Sequence, residues 1–345
     1  MTTYNLNSVT GSDPNTSLNA LLAAVKPADA LYVGSWAQAL GFIPSLTNVL
    51  TAEVANVPSP PLYPLGGTGG ELFLFTGSGT ANVFDAQGGN ILADPGNITY
   101  FGPTNPGATG GDTLLGGIGS TMLAVAGNNE LVSMQGMATL IGGSGSDILF
   151  GGMSSTSTDS LYAGSGTETL VTFAGNNLLA GGSGTDYLGG GTGADTLIGG
   201  AGSDILYAGT GNNVLIGGSG ANWLGGNFGA GAGYDFMYST ATSSSATNTI
   251  VGGTGGAVDG LYGASNVVIG SSSAWDYIFA GYGAANESDT IYGGHNTFVA
   301  EANASTAIQT ETVVGGITQI TFNNGQTLDS WNATIHFSDG KSLKT

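Results

Sequence analysis

The chain has 345 residues, 64 glycines, no cysteine and a formal charge of −20, with 23 acidic residues set against three basic ones, Lys26, Lys341 and Lys344. So few cations cannot neutralise a phosphate backbone, which excludes nucleic-acid binding, and the lack of cysteine excludes disulfides and a thiol nucleophile. No stretch reaches 18 apolar residues, so no membrane span is expected.

The start, Met1-Thr2-Thr3-Tyr4-Asn5, has neither a basic segment nor an early apolar run, so an ordinary secretory signal peptide is not expected. Residues 1–65 lack the repeat that follows. Thr16 to Val25 and Ala28 to Leu40 are apolar at helix-compatible spacing, with Asn15 or Thr16 as N-cap. The run Pro58-Ser59-Pro60-Pro61-Leu62-Tyr63-Pro64 is a stiff boundary. A small, partly helical N-terminal cap over an open strand edge is the expectation, or a segment that docks on another subunit.

Residues 66–300 carry a repeat. Leu161, Leu170, Leu179, Leu188, Leu197, Leu206, Leu215 and Leu224 follow one another at nine-residue steps. The unit reads Gly-Gly-x-Gly-x-Asp-x-Leu-x, clearest in Gly181-Gly182-Ser183-Gly184-Thr185-Asp186-Tyr187-Leu188 and its two successors ending at Leu197 and Leu206. So short a fixed period means a solenoid. Glycine permits the positive φ of a tight turn, Asp supplies a hard anionic oxygen, and the remaining residues form a short strand with the Leu pointing inward. Two units close a coil of about 18 residues, giving an all-β parallel β-roll or β-helix solenoid.

Stacking coils sorts the turn residues into two columns. One holds Glu168, Asp186, Asp204 and Asn222; the other holds Asp159, Asn177, Asp195 and Asn213. Looser copies flank the run: Asp112-Thr113-Leu114, Asn129-Glu130-Leu131 and Asp147-Ile148-Leu149 before it, Asp235-Phe236-Met237, Asp259-Gly260-Leu261, Asp276-Tyr277-Ile278, Asp289-Thr290-Ile291 and Asn296-Thr297-Phe298 after it. Asn82-Val83-Phe84 and Asn90-Ile91-Leu92 are read as degenerate copies. Residues 301–345 alternate apolar and polar in Ile320-Thr321-Phe322 and Ala333 to Phe337, with turns at Asn324-Gly325 and Asp339-Gly340, so a strand-rich C-terminal cap is expected.

The nonapeptide resembles that of the repeats-in-toxin (RTX) proteins, whose turns bind Ca2+. The resemblance implies calcium held between successive stacked turns by glycine-loop carbonyls and Asp carboxylates. Carried onto this sequence it assigns Gly182, Gly184, Asp186, Gly191, Gly193, Asp195, Gly200, Gly202 and Asp204, with Asp147, Asp159 and Glu168 as further ligands, and places the best site between Asp186 and Asp204. The sequence departs from the pattern at Asn177, Asn213 and Asn222, which keep an oxygen but lose the charge. Such turns bind calcium weakly or not at all, and their side chains are able to stack as an uncharged hydrogen-bonded ladder instead. Members of this group leave the cell by a one-step type I secretion machinery that reads an uncleaved C-terminal signal, a role the tail suits.

Acids crowded at turn positions repel one another, so the unliganded chain should be loose, with cations supplying part of the folding free energy. The residues able to do chemistry are few. His295 follows Gly293-Gly294 in a turn, His336 is the outward residue of a tail strand, and there is no His-Glu-x-x-His or Gly-x-Ser-x-Gly. Gly340-Lys341-Ser342 lacks the upstream glycine of a phosphate loop, because Ile335 stands there. No catalysis is expected.

The outward strand positions are unexpectedly apolar, with Tyr187, Ile205 and Trp223 at 18-residue spacing and Tyr207 nearby. Such a row is an association surface, unless another part of the chain covers it. The expectation is a secreted calcium-binding structural protein of the cell surface: a homo-oligomer or polymer forming a fibre, surface layer or biofilm matrix, or an adhesin for a cell-surface glycan or polysaccharide. The alternative is a polysaccharide lyase or epimerase built on the same solenoid. Catalytic sites of that kind need basic groups, which this sequence nearly lacks.

Overall fold

A computed structural model describes residues 54–55, 62–65, 72–75, 80–85, 91–94, 97–102, 111–133, 135–227, 233–240, 246–261, 265–271, 274–282 and 287–345. The helices expected at 16–25 and 28–40 lie outside the described residues, as does Asn90. Among the described residues there is no α-helix, only a single 3-10 turn at Ser305–Ala307. The chain forms two compact units, Met1–Gly164 and Ser165–Thr345, and the described residues of each build a parallel β-solenoid.

In the first unit, one ladder runs through Val54–Ala55, Leu72–Phe75, Ile91–Asp94, Thr113–Gly116, Glu130–Ser133 and Ile148–Phe150, all parallel. The opposite ladder runs through Leu62–Leu65, Thr80–Asp85, Asn97–Phe101, Thr121–Leu123 and Thr139–Gly145. Strand pairing therefore already includes the proline-rich segment before Gly66. Leu114, Leu131 and Leu149 are in register and fully buried. In the opposite ladder Val83 shares the register of Tyr100 and Met122, which are buried.

The second unit repeats the plan. One ladder takes Thr169–Val171, Tyr187–Gly189, Ile205–Tyr207, Trp223–Gly225, Thr247–Val251, Ser265–Ile269 and the first part of Ser288–Glu301. The other takes Leu178–Gly184, Thr196–Gly202, Val214–Ser219, Asp235–Ser239, Ala257–Leu261, Asp276–Ala280 and the second part of Ser288–Glu301. The leucines at 170, 179, 188, 197, 206, 215 and 224 all have 0% exposure. Each such burial contributes about 1.5–3 kcal/mol, so the column is the hydrophobic spine that holds the two sheets together.

Two looser copies sit in a different frame from the one the sequence suggests. Asp259 is registered between Met237 and Ile278, in the inward column, while Ala257 stands opposite Asp235 and Asp276 at the turn position. Coil length varies at this point, from 22 residues between Asp235 and Ala257 to 19 between Ala257 and Asp276, so the triplet alone does not fix its frame. Likewise Thr297 is buried, Val299 is the inward residue and Phe298 faces outward, so the Asn296-Thr297-Phe298 copy is shifted by one.

The last rung is Thr327–Phe337, which pairs in parallel along both halves of Ser288–Glu301. Its outer edge is covered by antiparallel strands, Ile317–Phe322 against its first half and Ser342–Lys344 against its second. Ile308–Val314 closes a hairpin with Ile317–Phe322. The turns at Gly325 and Gly340 both have φ of 83°. This strand-rich C-terminal region leaves no bare edge on the final coil.

Candidate functional site: the stacked turns

The turns that link the strands are built on glycine for two reasons. Gly182, Gly184, Gly191, Gly193, Gly200 and Gly202 all have φ between 83° and 146°, in or near the left-handed region. They also stack closely, since a Cβ on Gly202 would lie 1.4 Å from the Gly184 carbonyl oxygen. Only glycine satisfies both demands, which is why the motif repeats it at every coil.

The turn carboxylates form the two columns read from the spacing. In one, the backbone N–H of Glu168 donates to Asp186 Oδ1 (3.1 Å), that of Asp186 to Asp204 Oδ1 (3.0 Å), that of Asp204 to Asn222 Oδ1 (2.9 Å) and that of Asn222 to Asn248 Oδ1 (2.9 Å). In the other, Asn177 N–H donates to Asp195 Oδ1 (2.8 Å), Asp195 N–H to Asn213 Oδ1 (2.9 Å) and Asn213 N–H to Asp235 Oδ1 (3.1 Å). The first unit has the same device, Asp112 N–H to Asn129 Oδ1 (2.9 Å) and Asn129 N–H to Asp147 Oδ1 (2.7 Å). One side-chain oxygen per coil thus satisfies a turn amide that the strand ladder leaves over.

The second oxygen separates the carboxylates. Oδ2 of Asp147, Asp186, Asp195 and Asp204 is buried and has no hydrogen-bond partner. In Asp159, Asp235 and Asp276 the same atom accepts from the N–H of Gly152, Asn227 and Ser271 respectively, so these three act as backbone clamps. Both side-chain oxygens of Glu168 are buried in the turn column.

The unpartnered oxygens face carbonyls. A Cβ on Gly181 would lie 2.4 Å from Asp186 Oδ2 and 2.6 Å from Gly199 O; one on Gly190 would lie 2.8 Å from Asp195 Oδ2 and 2.4 Å from Ala208 O; one on Gly199 would lie 2.5 Å from both Asp204 Oδ2 and Gly217 O. Each cradle therefore gathers a carboxylate oxygen and a main-chain carbonyl of the next coil with no donor between them. Among the described residues no three carboxylates or histidines converge, so a cation here draws mainly on carbonyls, the oxygen ligands a hard divalent ion such as calcium accepts. The donor set fits calcium.

Electrostatics agree. Every described carboxylate from Asp112 to Glu301 is buried except half-buried Glu130. Burial pushes Asp195 and Asp204 up to about 6, against hydrogen bonds from Asn177 and Asp186 that lower them. Burial likewise pushes Asp276 to about 6 and Asp289 to about 7. A cation in the turns removes that desolvation cost by neutralising the charge in place.

Spacing did not single out Asn128, Asn176 and Asn212, whose Oδ1 atoms accept the N–H of Ser146, Ala194 and Tyr234 one coil on (2.9, 2.8 and 2.9 Å). The signal was present as the recurring Gly-Asn-Asn of residues 127–129, 175–177 and 211–213.

On the outer surface Tyr187, Ile205 and Trp223 are in direct register, and Tyr207 stacks on Trp223 with centroids 5.4 Å apart. Tyr187, Ile205 and Tyr207 are exposed. His336 is also exposed, its Nδ1 2.8 Å from Ser342 Oγ.

No curated protein matches the chain. Residues 125–154, 162–197, 189–224 and 198–232 match the RTX calcium-binding nonapeptide repeat in four copies. Those stretches contain the glycine turns, the two turn columns and the unpartnered carboxylates just described, and the chain accordingly carries RTX calcium-binding nonapeptide repeats on its parallel β-solenoid.

Proposed function

We propose that this chain is a secreted structural protein of the cell exterior that folds on meeting calcium and then self-associates through its flat sheets into a fibre, surface layer or biofilm matrix. The observation that carries the reading is the pairing of buried, unpartnered turn carboxylates inside with an apolar row outside. The acid lies in the turns, where calcium neutralises it. The outward positions in register with Tyr187, Ile205 and Trp223 are uncharged from Thr169 to Thr290, so charge does not oppose packing of one sheet on another. Exposed apolar surface of this extent is a mark of association.

Export by a type I machinery through the C-terminal region, and the absence of catalysis, belong to the same proposal. Calcium is scarce in the cytosol, so a chain whose turns need it stays loose until it reaches the exterior. The test is to add millimolar calcium to chelator-treated protein while following circular dichroism and imaging by negative stain. Filaments or sheets that Tyr187→Ser/Ile205→Ser abolishes, with calcium-induced folding retained, support the proposal. Monodisperse wild-type particles at high concentration overturn it.

A further inference from the structure

The turns come in two chemical kinds. In the Asp kind, Oδ2 of Asp147, Asp186, Asp195 and Asp204 is buried without a donor. In the Asn kind, the carboxamide nitrogen folds back onto carbonyls of its own turn. Asn129 Nδ2 donates to Ala126 O (3.3 Å) and Gly127 O (3.1 Å), and Asn177 Nδ2 to Ala174 O (3.2 Å). Asn213 Nδ2 donates to Gly211 O (3.3 Å), and Asn222 Nδ2 to both Gly218 O and Gly220 O (3.3 Å each).

Three of these nitrogens also reach the following coil. Asn129 Nδ2 donates to Asp147 Oδ1 (2.8 Å), Asn177 Nδ2 to Asp195 Oδ1 (2.9 Å) and Asn213 Nδ2 to Asp235 Oδ1 (2.9 Å). The amide thus stands between turn carbonyls and a carboxylate, the same two kinds of oxygen that face each other without a donor in the Asp turns. A neutral amide with two protons satisfies both and carries no charge that must be desolvated.

We propose that Asn129, Asn177, Asn213 and Asn222 are built-in cation surrogates, so that their turns close without metal and calcium is confined to the turns ending in Asp. The inference rests on the calcium reading of the Asp turns and adds which turns do without it. The consequence is graded order. The calcium-free chain keeps its Asn turns formed while the intervening Asp turns open, and the preformed turns template the rest when calcium arrives.

Hydrogen exchange of the full chain, with turns resolved by mass spectrometry, tests this. In chelator, amides of 174–177, 209–213 and 218–222 are expected to exchange at least about tenfold more slowly than those of 181–186 and 199–204, a gap that millimolar calcium closes. Equal exchange of the two kinds in chelator, whether both fast or both slow, overturns the proposal. Asn177→Asp/Asn213→Asp should lose the slow exchange at its own turns and bind additional calcium by equilibrium dialysis; an unchanged calcium number also overturns it. Should the wild-type chain bind no calcium at all, the calcium reading falls by itself, and the exchange contrast in chelator still decides this inference.

Discussion

The backbone N–H of Asp186 donates to Asp204 Oδ1 at 3.0 Å across one coil, and the Oδ2 atoms of both residues are left buried with no donor. Two carboxylates thus follow each other directly in one column, with no amide between them. In the neighbouring column Asn177 precedes Asp195 and Asn213 precedes Asp235. In this uninterrupted acidic pair the charge of Asp186 adds to the burial that raises Asp204.

Removing that pair should separate metal binding from metal-free order. Asp186→Ala/Asp204→Ala is expected to shift the calcium midpoint of folding upward by about tenfold or more. Asn177→Ala/Asn213→Ala is expected to lower order in chelator and move the calcium midpoint far less. Circular dichroism titrations of both variants make the comparison, and equal midpoint shifts would show that the columns do not differ in this way.

Protons should substitute for calcium. Asp195 and Asp204 lie near 6 and Asp289 near 7 in the folded chain, raised first by burial from an unfolded value of about 4. The folded state therefore binds protons more tightly, and this contribution to stability is fully present below about pH 4 and lost as pH rises through 6 to 7. Metal-free protein is expected to melt higher at pH 4.5 than at pH 7.5, and saturating calcium to remove most of the difference. A metal-free melting temperature that rises steadily from pH 5 to pH 8 would contradict this.

How far the chain was legible from its residues depended on regularity. The leucine spine and both turn columns followed from the nine-residue step alone, since a fixed period leaves one frame. Where coil length varies, a D-x-L triplet no longer fixes its own frame. Asp259-Gly260-Leu261 matches the motif, yet Asp259 stands between Met237 and Ile278 and Leu261 opposite Ser239. Nor does the sequence show which way an Asn carboxamide turns. That Asn177 Nδ2 faces Ala174 O, whereas Asp195 leaves Oδ2 without a donor, needs three-dimensional placement of both turns.

The glycine stacking gives a graded test between two successive strands, Tyr187–Gly189 and Thr196–Gly202. Gly202→Ala would set a Cβ 1.4 Å from Gly184 O on a backbone with φ of 144°, and should cost more than about 3 kcal/mol in the calcium-loaded protein. Gly189→Ala meets nothing nearer than 3.7 Å, so its effect should stay within about 0.5 kcal/mol. Denaturant unfolding of the two variants in calcium supplies the comparison, and similar losses would mean that the turn relaxes to admit a side chain.

Asp259 offers the clearest single change. It occupies an inward position between Met237 and Ile278, all three at 0% exposure, and both its carboxyl oxygens lack a donor. Burial first, then the charges of Asp276 and Asp235, hold its carboxyl well above the usual carboxylate range. A group raised in this way contributes stability when protonated and loses it as pH rises toward its folded value. Asp259→Val replaces a buried acid by an apolar side chain of strand-forming type, and should stabilise the protein by roughly 1–3 kcal/mol at pH 7.5. The gain should shrink at pH 4.5, close to the unfolded group's value of about 4, where holding the proton in the folded state costs far less. Thermal melts of wild type and variant at the two pH values decide the matter: equal melting temperatures at pH 7.5, or a larger gain in acid, would mean that residue 259 is not in the inward column.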